Sequence, residues 1–227
     1  MSVLDISKIK QVPLNKGEFL TTIVKKVQAT VHHTAGGPSG VNTIGGWNKD
    51  KRGPIATPFT ISGPGAKNSY DGEIIQAFSS KCWAYHLGVK TEVFKARGLK
   101  WKNLDALSIG IEVCNWGGLD YENGKFLNYV DGIVDPKDVV TLDQPFKGYT
   151  HFHRYSDAQI ESLRQLLVYL SNTYAIDLTY SYDQMFKVSD KALKGDNGLF
   201  THNSYRKDKI DVYPCPRMIA MFESLTK

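Results

Sequence analysis

The sequence predicts an α/β fold: one domain over residues 1–227, with a central mixed β-sheet flanked by helices. Short runs rich in Val, Ile and Thr end at Gly- or Pro-containing turns and read as strands. Stretches with apolar residues at helical spacing lie between and after them, so strands and helices are mixed along the chain. The chain has 227 residues, 41% of them hydrophobic and 22% charged, which suits one domain with a real core and excludes a disordered chain. No internal repeat, low-complexity tract or Pro/Ser-rich linker divides it.

Thr22 to His32 is the first strand candidate, rich in Thr, Val and Ile and ending just before Gly36-Gly37. Ser39 can cap a short helix through Trp47, with Val41, Ile44 and Trp47 on one face. Phe59 to Ile61 and Ile74 to Phe78 read as short strands around a segment holding Gly63-Pro64-Gly65 and Asp71-Gly72. Leu107 to Val113 is nearly continuous in apolar residues, as in a strand buried on both faces, with Glu112 the exception. Residues Gly117 to Gly148 read as a long surface excursion. Asp157 to Tyr174 is the clearest helix. Ser156 and Gln159 form a capping box, and Ile160, Leu163, Leu166, Leu167 and Leu170 make a core-facing stripe. A last helix, about Arg217 to Leu225, follows Pro214 and Pro216.

The net charge of +5 suits an anionic polymer or envelope surface, but the basic residues are scattered and no nucleic-acid-binding motif is present. No stretch is long and apolar enough to insert in a membrane. Met1 to Lys26 lacks an apolar segment behind a basic one, so no ordinary secretory signal is expected. Cys82, Cys114 and Cys215 are odd in number and irregular in spacing, which argues against a disulfide framework. With no CxxC pair, a Cys-rich structural zinc site is not expected either.

The six histidines are His32, His33, His86, His151, His153 and His202. A lone histidine is more often structural than a ligand. His32-His33, however, ends a predicted strand before a Gly-rich turn, and only one of the two can face a given site because strand neighbours point to opposite faces. His202 sits in a polar stretch with Lys209, Asp211 and Cys215 after it. A strand-end His with a distant His and Asp can supply the three ligands of a catalytic zinc, which keeps a fourth position open. Spacing alone makes this a weak signal. Glu112, inside Ser108-Ile109-Gly110-Ile111-Glu112-Val113, is costly to bury unless paired or functional. It reads either as a solvent-facing or ion-paired strand-end Glu, or as a general base with a raised pKa.

Four blocks in order resemble the N-acetylmuramoyl-L-alanine amidases of the phage-lysozyme and peptidoglycan-recognition-protein superfamily, the type 2 amidase domain. The first is Val31-His32-His33-Thr34-Ala35-Gly36-Gly37. The second runs Asp71-Gly72-Glu73-Ile74-Ile75-Gln76 and then Trp83-Ala84-Tyr85-His86-Leu87-Gly88. The third is the Ser108–Val113 block; the fourth is His202 followed by Lys209-Ile210-Asp211. Each block is modest alone, and together they cover nearly the whole chain.

The resemblance implies the amidase fold and a Zn2+ cofactor held by His32, His202 and Asp211. Glu112 would activate water and Lys209 would steady the oxyanion. His86 matches a cleft residue near the substrate, and Trp83, Tyr85, Asn115 and Trp116 are the other candidates for holding sugar and peptide. The third ligand has an alternative, because family members use Asp or Cys and Cys215-Pro216 looks like the Cys-Pro ending of the Cys-using branch. Lys209, two residues before Asp211, favours Asp211. The second departure is Thr57-Pro58-Phe59, where several phage members have a Tyr and a His before an aromatic; Tyr85 and Tyr205 are the substitutes at hand. The implied reaction is hydrolysis of the bond between N-acetylmuramic acid and L-alanine in peptidoglycan. The rivals are a non-catalytic peptidoglycan-binding module and a zinc peptidase cutting within the stem. The expected setting is a monomeric phage endolysin. It would be made in the host cytoplasm, released by a holin-dependent route and active on the periplasmic wall; a wall-recycling enzyme is the alternative.

Overall fold

The computed structural model describes residues 4–226; Met1–Val3, part of the segment read above for a leader, lie outside them. Among the described residues, eleven strands build two sheets. The first five strands are β1 (Lys10–Gln11), β2 (Gln28–His33), β3 (Phe59–Ile61), β4 (Ile74–Gln76) and β5 (Ser108–Val113). Next come β6 (Gly118–Glu122), β7 (Lys125–Leu127), β8 (Ile133–Val134), β9 (Val139–Phe146), β10 (Tyr149–His153) and β11 (Gly198–Thr201). The helices are α1 (Gly40–Trp47), α2 (Thr91–Lys95), α3 (Leu104–Leu107), α4 (Asp157–Tyr174), α5 (Tyr182–Phe186), α6 (Asp190–Leu193) and α7 (Pro216–Ser224).

The central sheet has the order β1-β4-β3-β5-β2-β11. It is mixed, as expected: β2 runs parallel to both β5 and β11, while β3 and β4 are antiparallel. Parallel neighbours buried on both faces explain why β2 and β5 read as nearly continuous apolar runs. The two faces nevertheless differ by alternation. Ala29 and Val31 of β2 and Ile109, Ile111 and Val113 of β5 join the main core with the leucine stripe of α4 and with Met218 and Phe222 of α7. The opposite face carries Gln28, Thr30 and His32 beside Ser108, Gly110 and Glu112. Most of these buried polar groups are paired, with Glu112 Oε2 the exception. Thr30 Oγ1 lies 2.7 Å from Ser108 Oγ, and Tyr205 donates its hydroxyl proton to Gln28 Oε1 over 3.1 Å. A buried polar row survives only with such partners.

The α4 helix has the capping box its sequence announces. Ser156 Oγ accepts from the Gln159 N–H, and Gln159 Oε1 accepts from the Ser156 N–H. The same Gln159 side chain donates to the Cys114 carbonyl over 2.7 Å, which pins the helix start to the end of β5.

The strand read over Thr22 to His32 runs from Gln28 to His33, because its register with β5 and β11 starts at Gln28; Val27 adds only single backbone hydrogen bonds to Leu107 and Gly198. The segment from Gly117 to Gly148, read as a surface excursion, folds with β10 into a second, antiparallel sheet of order β8-β7-β6-β10-β9. Its strands carry many exposed residues, so their alternation is weak in sequence. Just before the polar stretch of His202 lies β11, whose four residues are all buried. No helix among the described residues is long and apolar enough to cross a membrane.

Candidate metal centre

Three neighbouring parallel strands end at one place. Register pairs His32 with Glu112 and Val31 with Thr201, so His32, Glu112 and His202 stand level across β2, β5 and the end of β11. Ligand sites in α/β sheets form at such carboxyl ends. Asp211 comes from the loop after His202 and completes the group.

The geometry is tight. His32 Nδ1 lies 3.1 Å from His202 Nδ1 and 3.1 Å from Asp211 Oδ2, and His202 Nδ1 lies 3.0 Å from the same oxygen. All three residues are buried. His202 Nε2 donates to the Leu87 carbonyl over 2.9 Å, because a carbonyl only accepts. With that nitrogen donating, His202 turns its Nδ1 towards the carboxylate oxygen. Burial holds the His32 imidazole down to about 4, so this ring is neutral at ordinary pH. For Asp211, burial acts upward, but its two histidine neighbours outweigh it and hold the carboxyl far below the usual range. Two ring nitrogens and a carboxylate oxygen thus converge in a buried place, and the group can hold a metal ion.

Supporting groups fix the rings. His32 Nε2 lies 2.9 Å from His86 Nδ1. His86 is itself oriented from below, since its backbone N–H and that of Leu87 both donate to Asp105 Oδ1. Burial depresses the His86 imidazole well below its ordinary value. His86 therefore backs the His32 ring. His33 points the other way, as the alternation requires, and meets the Tyr155 hydroxyl at 2.9 Å. Gly110 makes room for this arrangement. A Cβ there would sit 2.5 Å from Thr57 Cγ2 and 3.0 Å from His86 Nδ1. Gly110→Ala is expected to cost about 1–3 kcal/mol by overpacking and to weaken metal affinity by displacing His86. Melting curves and a metal-competition titration read the two effects.

Glu112 leans over the same group. Its Oε2 is buried without a hydrogen-bond partner. Burial pushes the carboxyl up to about 8, with Asp211 adding to the rise and Lys209 opposing it. The Lys209 side chain makes no hydrogen bond or ion pair among the described residues, and its charge is felt at both His32 and Glu112.

The remaining candidates fall in different places. Cys215 is buried in the main core and caps α7, outside the metal-binding group. Asn115 is buried, with Nδ2 donating to the His153 carbonyl and Oδ1 accepting from the Gly117 N–H, so it holds the turn after β5. Trp83 is buried edge-on against Tyr85, which is itself 46% exposed. Trp116 lies by Gly37 and 6.0 Å from the exposed ring of Tyr129. Tyr205 cannot replace a catalytic tyrosine, because it is fully buried and its hydroxyl serves Gln28 and Thr30. The hydroxyl of Thr57 is likewise spent on the Phe59 carbonyl. Sequence reasoning missed Asp105 and Leu87 as supports, since nothing in the pattern marks a backbone carbonyl or a carboxylate that faces inward.

Comparison with known proteins bears on this site. The family model described as N-acetylmuramoyl-L-alanine amidase matches residues 25–214. Similar solved structures include PlyL, at 14% identity over 96% of each chain with a TM-score of 0.52. A mutant endolysin from Bacillus subtilis is similar at 16% identity over 100% of each chain, with a TM-score of 0.49. At this identity the likeness to PlyL shows the fold alone. No curated protein matches the chain.

Proposed function

Because this chain belongs to the N-acetylmuramoyl-L-alanine amidase family, we propose that it is a zinc-dependent hydrolase of the amide between N-acetylmuramic acid and L-alanine in peptidoglycan. The observation that carries the proposal is the buried His32–His202–Asp211 triangle with 3.0–3.1 Å edges. Tetrahedral zinc with nitrogen and oxygen ligands at about 2.0–2.2 Å needs donor–donor edges of roughly 3.3 Å, so the donor set fits by type and by spacing. His32, His202 and Asp211 would hold the ion with three protein ligands, the number that catalytic zinc sites use. Zinc bound there supplies Lewis acidity, which activates water near neutral pH and polarises the scissile carbonyl.

The protein's own groups do the rest. Glu112 accepts the proton of the attacking water as its oxygen adds to the lactyl carbonyl carbon. The Lys209 ammonium, whose charge is felt at His32 and Glu112, would steady the negative charge that grows on the carbonyl oxygen; one such donor is worth on the order of 3 kcal/mol. Glu112 then gives the proton to the L-alanine nitrogen as the C–N bond breaks, which leaves a lactyl carboxylate and a free amine. The carbonyl of Leu87 and the ring of His86 hold the two imidazoles in the ligand tautomer. Tyr85 and Trp116 offer faces to sugar or stem peptide, while Trp83 and Asn115 support the walls behind them. The net charge of +5 supports an anionic envelope polymer as the natural surface. In a lysis setting the enzyme acts as a monomer on the wall after release from the cell that makes it.

Metal removal tests the reading. The protein is expected to hold about one zinc per chain, to lose peptidoglycan hydrolysis on chelation and to regain it with zinc. Full activity in chelated, zinc-free protein would contradict it.

A further inference from the structure

The loop that carries the metal-binding group is tied down from outside the central sheet. His202 and Asp211 are nine residues apart, and the residues between them include the charged run Arg206-Lys207-Asp208-Lys209. No strand pairing holds that run among the described residues. Such a segment samples many spacings unless side chains fix it, and a metal centre needs one.

The tie comes from the second sheet. The β9–β10 hairpin turns at Lys147-Gly148, both in the left-handed region with φ of 49° and 93°. Phe146, just before the turn, lies against Phe152 and Phe186 with ring centres 6.5 and 6.2 Å away, so the tip is anchored. From that tip Lys147 Nζ donates to Asn203 Oδ1 over 2.6 Å and to the carbonyl of Lys209. Asn203 is fully buried and passes the tie on, because its Nδ2 donates to the Val212 carbonyl over 2.8 Å and to Thr201 Oγ1 over 3.2 Å. Asn203 follows His202 and Val212 follows Asp211. One ammonium and one amide thus connect the neighbours of both loop-borne donors. Burial lowers the pKa of the Lys147 ammonium from its ordinary value, and the charges of Asp211 and Asp208 oppose that fall.

We propose that Lys147, held at the tip of the second sheet's hairpin, is a positioning residue of the metal centre, which fixes the spacing of His202 and Asp211 through Asn203 and the Lys209 carbonyl. This rests on the zinc reading of the His32–His202–Asp211 group. It also gives the second sheet a task in the site.

The test is zinc affinity, measured by competition with a chromogenic chelator, for wild type, Lys147→Met and Lys147→Arg. Melting curves of the metal-free proteins and steady-state kinetics on a soluble muropeptide accompany it. Lys147→Met is expected to weaken zinc binding about 10- to 100-fold, the range for loss of a supporting residue. It should lower kcat more than KM and leave the metal-free melting temperature near that of wild type, while Lys147→Arg recovers most of the affinity. Unchanged zinc affinity in Lys147→Met would overturn the inference alone. So would an affinity loss matched by unfolding of the metal-free protein and not relieved by Lys147→Arg. A wild type that binds no zinc would overturn the metal reading and the inference with it.

Discussion

Asp211→Ala is expected to remove zinc and peptidoglycan hydrolysis together, whereas Cys215→Ala keeps both. Asp211 Oδ2 stands 3.1 and 3.0 Å from the two imidazole nitrogens. Cys215 lies among the core side chains and caps the last helix, outside the group. Loss of a residue that merely supports a ligand costs about 10- to 100-fold in metal affinity or activity; loss of a ligand should exceed that. The Cys215 substitution removes only one buried sulfur, so its effect is on stability: a small cavity costing about 1 kcal/mol. Zinc content and wall hydrolysis, measured on the two variants beside wild type, separate the ligands. Zinc lost with Cys215→Ala and kept with Asp211→Ala would reverse the assignment.

Glu112→Gln is expected to keep zinc and lose about 10²- to 10⁴-fold in kcat, the usual contribution of a general acid–base. It should also stabilise the metal-free protein. The folded carboxyl titrates at about 8 against an ordinary 4.5, because burial disfavours its charge and Asp211 adds repulsion that Lys209 only partly offsets. Between those two values the folded protein retains a proton that the unfolded chain gives up, so stability falls as pH rises through that window. Glutamine carries no such proton. The melting-temperature advantage of Glu112→Gln should therefore be small near pH 4.5 and reach its full size above pH 8. Equal stability of the two proteins at both extremes would show that Glu112 is not buried against its charge, and the role of base would lose its physical support.

Much of this was legible because local signals and tertiary demands agree. The start of α4 could be placed from Ser156 and Gln159, since a capping box uses only backbone and side-chain atoms within one turn. The strand-end position of His32 and the exceptional character of Glu112 could be read from apolar runs that the sheet buries on both faces. The spatial meeting of His32, Glu112 and His202 could not be derived from spacing, because it depends on the order of three strands far apart in sequence. Only the resemblance of four blocks to a family brought them together. The second sheet escaped for a different reason: its strands pair locally, but they carry few core residues and give no strong period. The cleft position of His86 came only from the family resemblance, because its contact with His32 and its close approach to Gly110 are tertiary and invisible in one dimension.

The bond that is cut defines the enzyme. Digestion of purified peptidoglycan with the zinc-loaded protein, with every new amino terminus and sugar end identified by mass spectrometry, reveals it. The expected products are stem peptides that begin with L-alanine, and glycan strands whose muramic acid carries a free lactyl carboxylate and no new reducing ends. New amino termini within the stem, or intact peptidoglycan after incubation with fully zinc-loaded protein, would contradict the amidase reading.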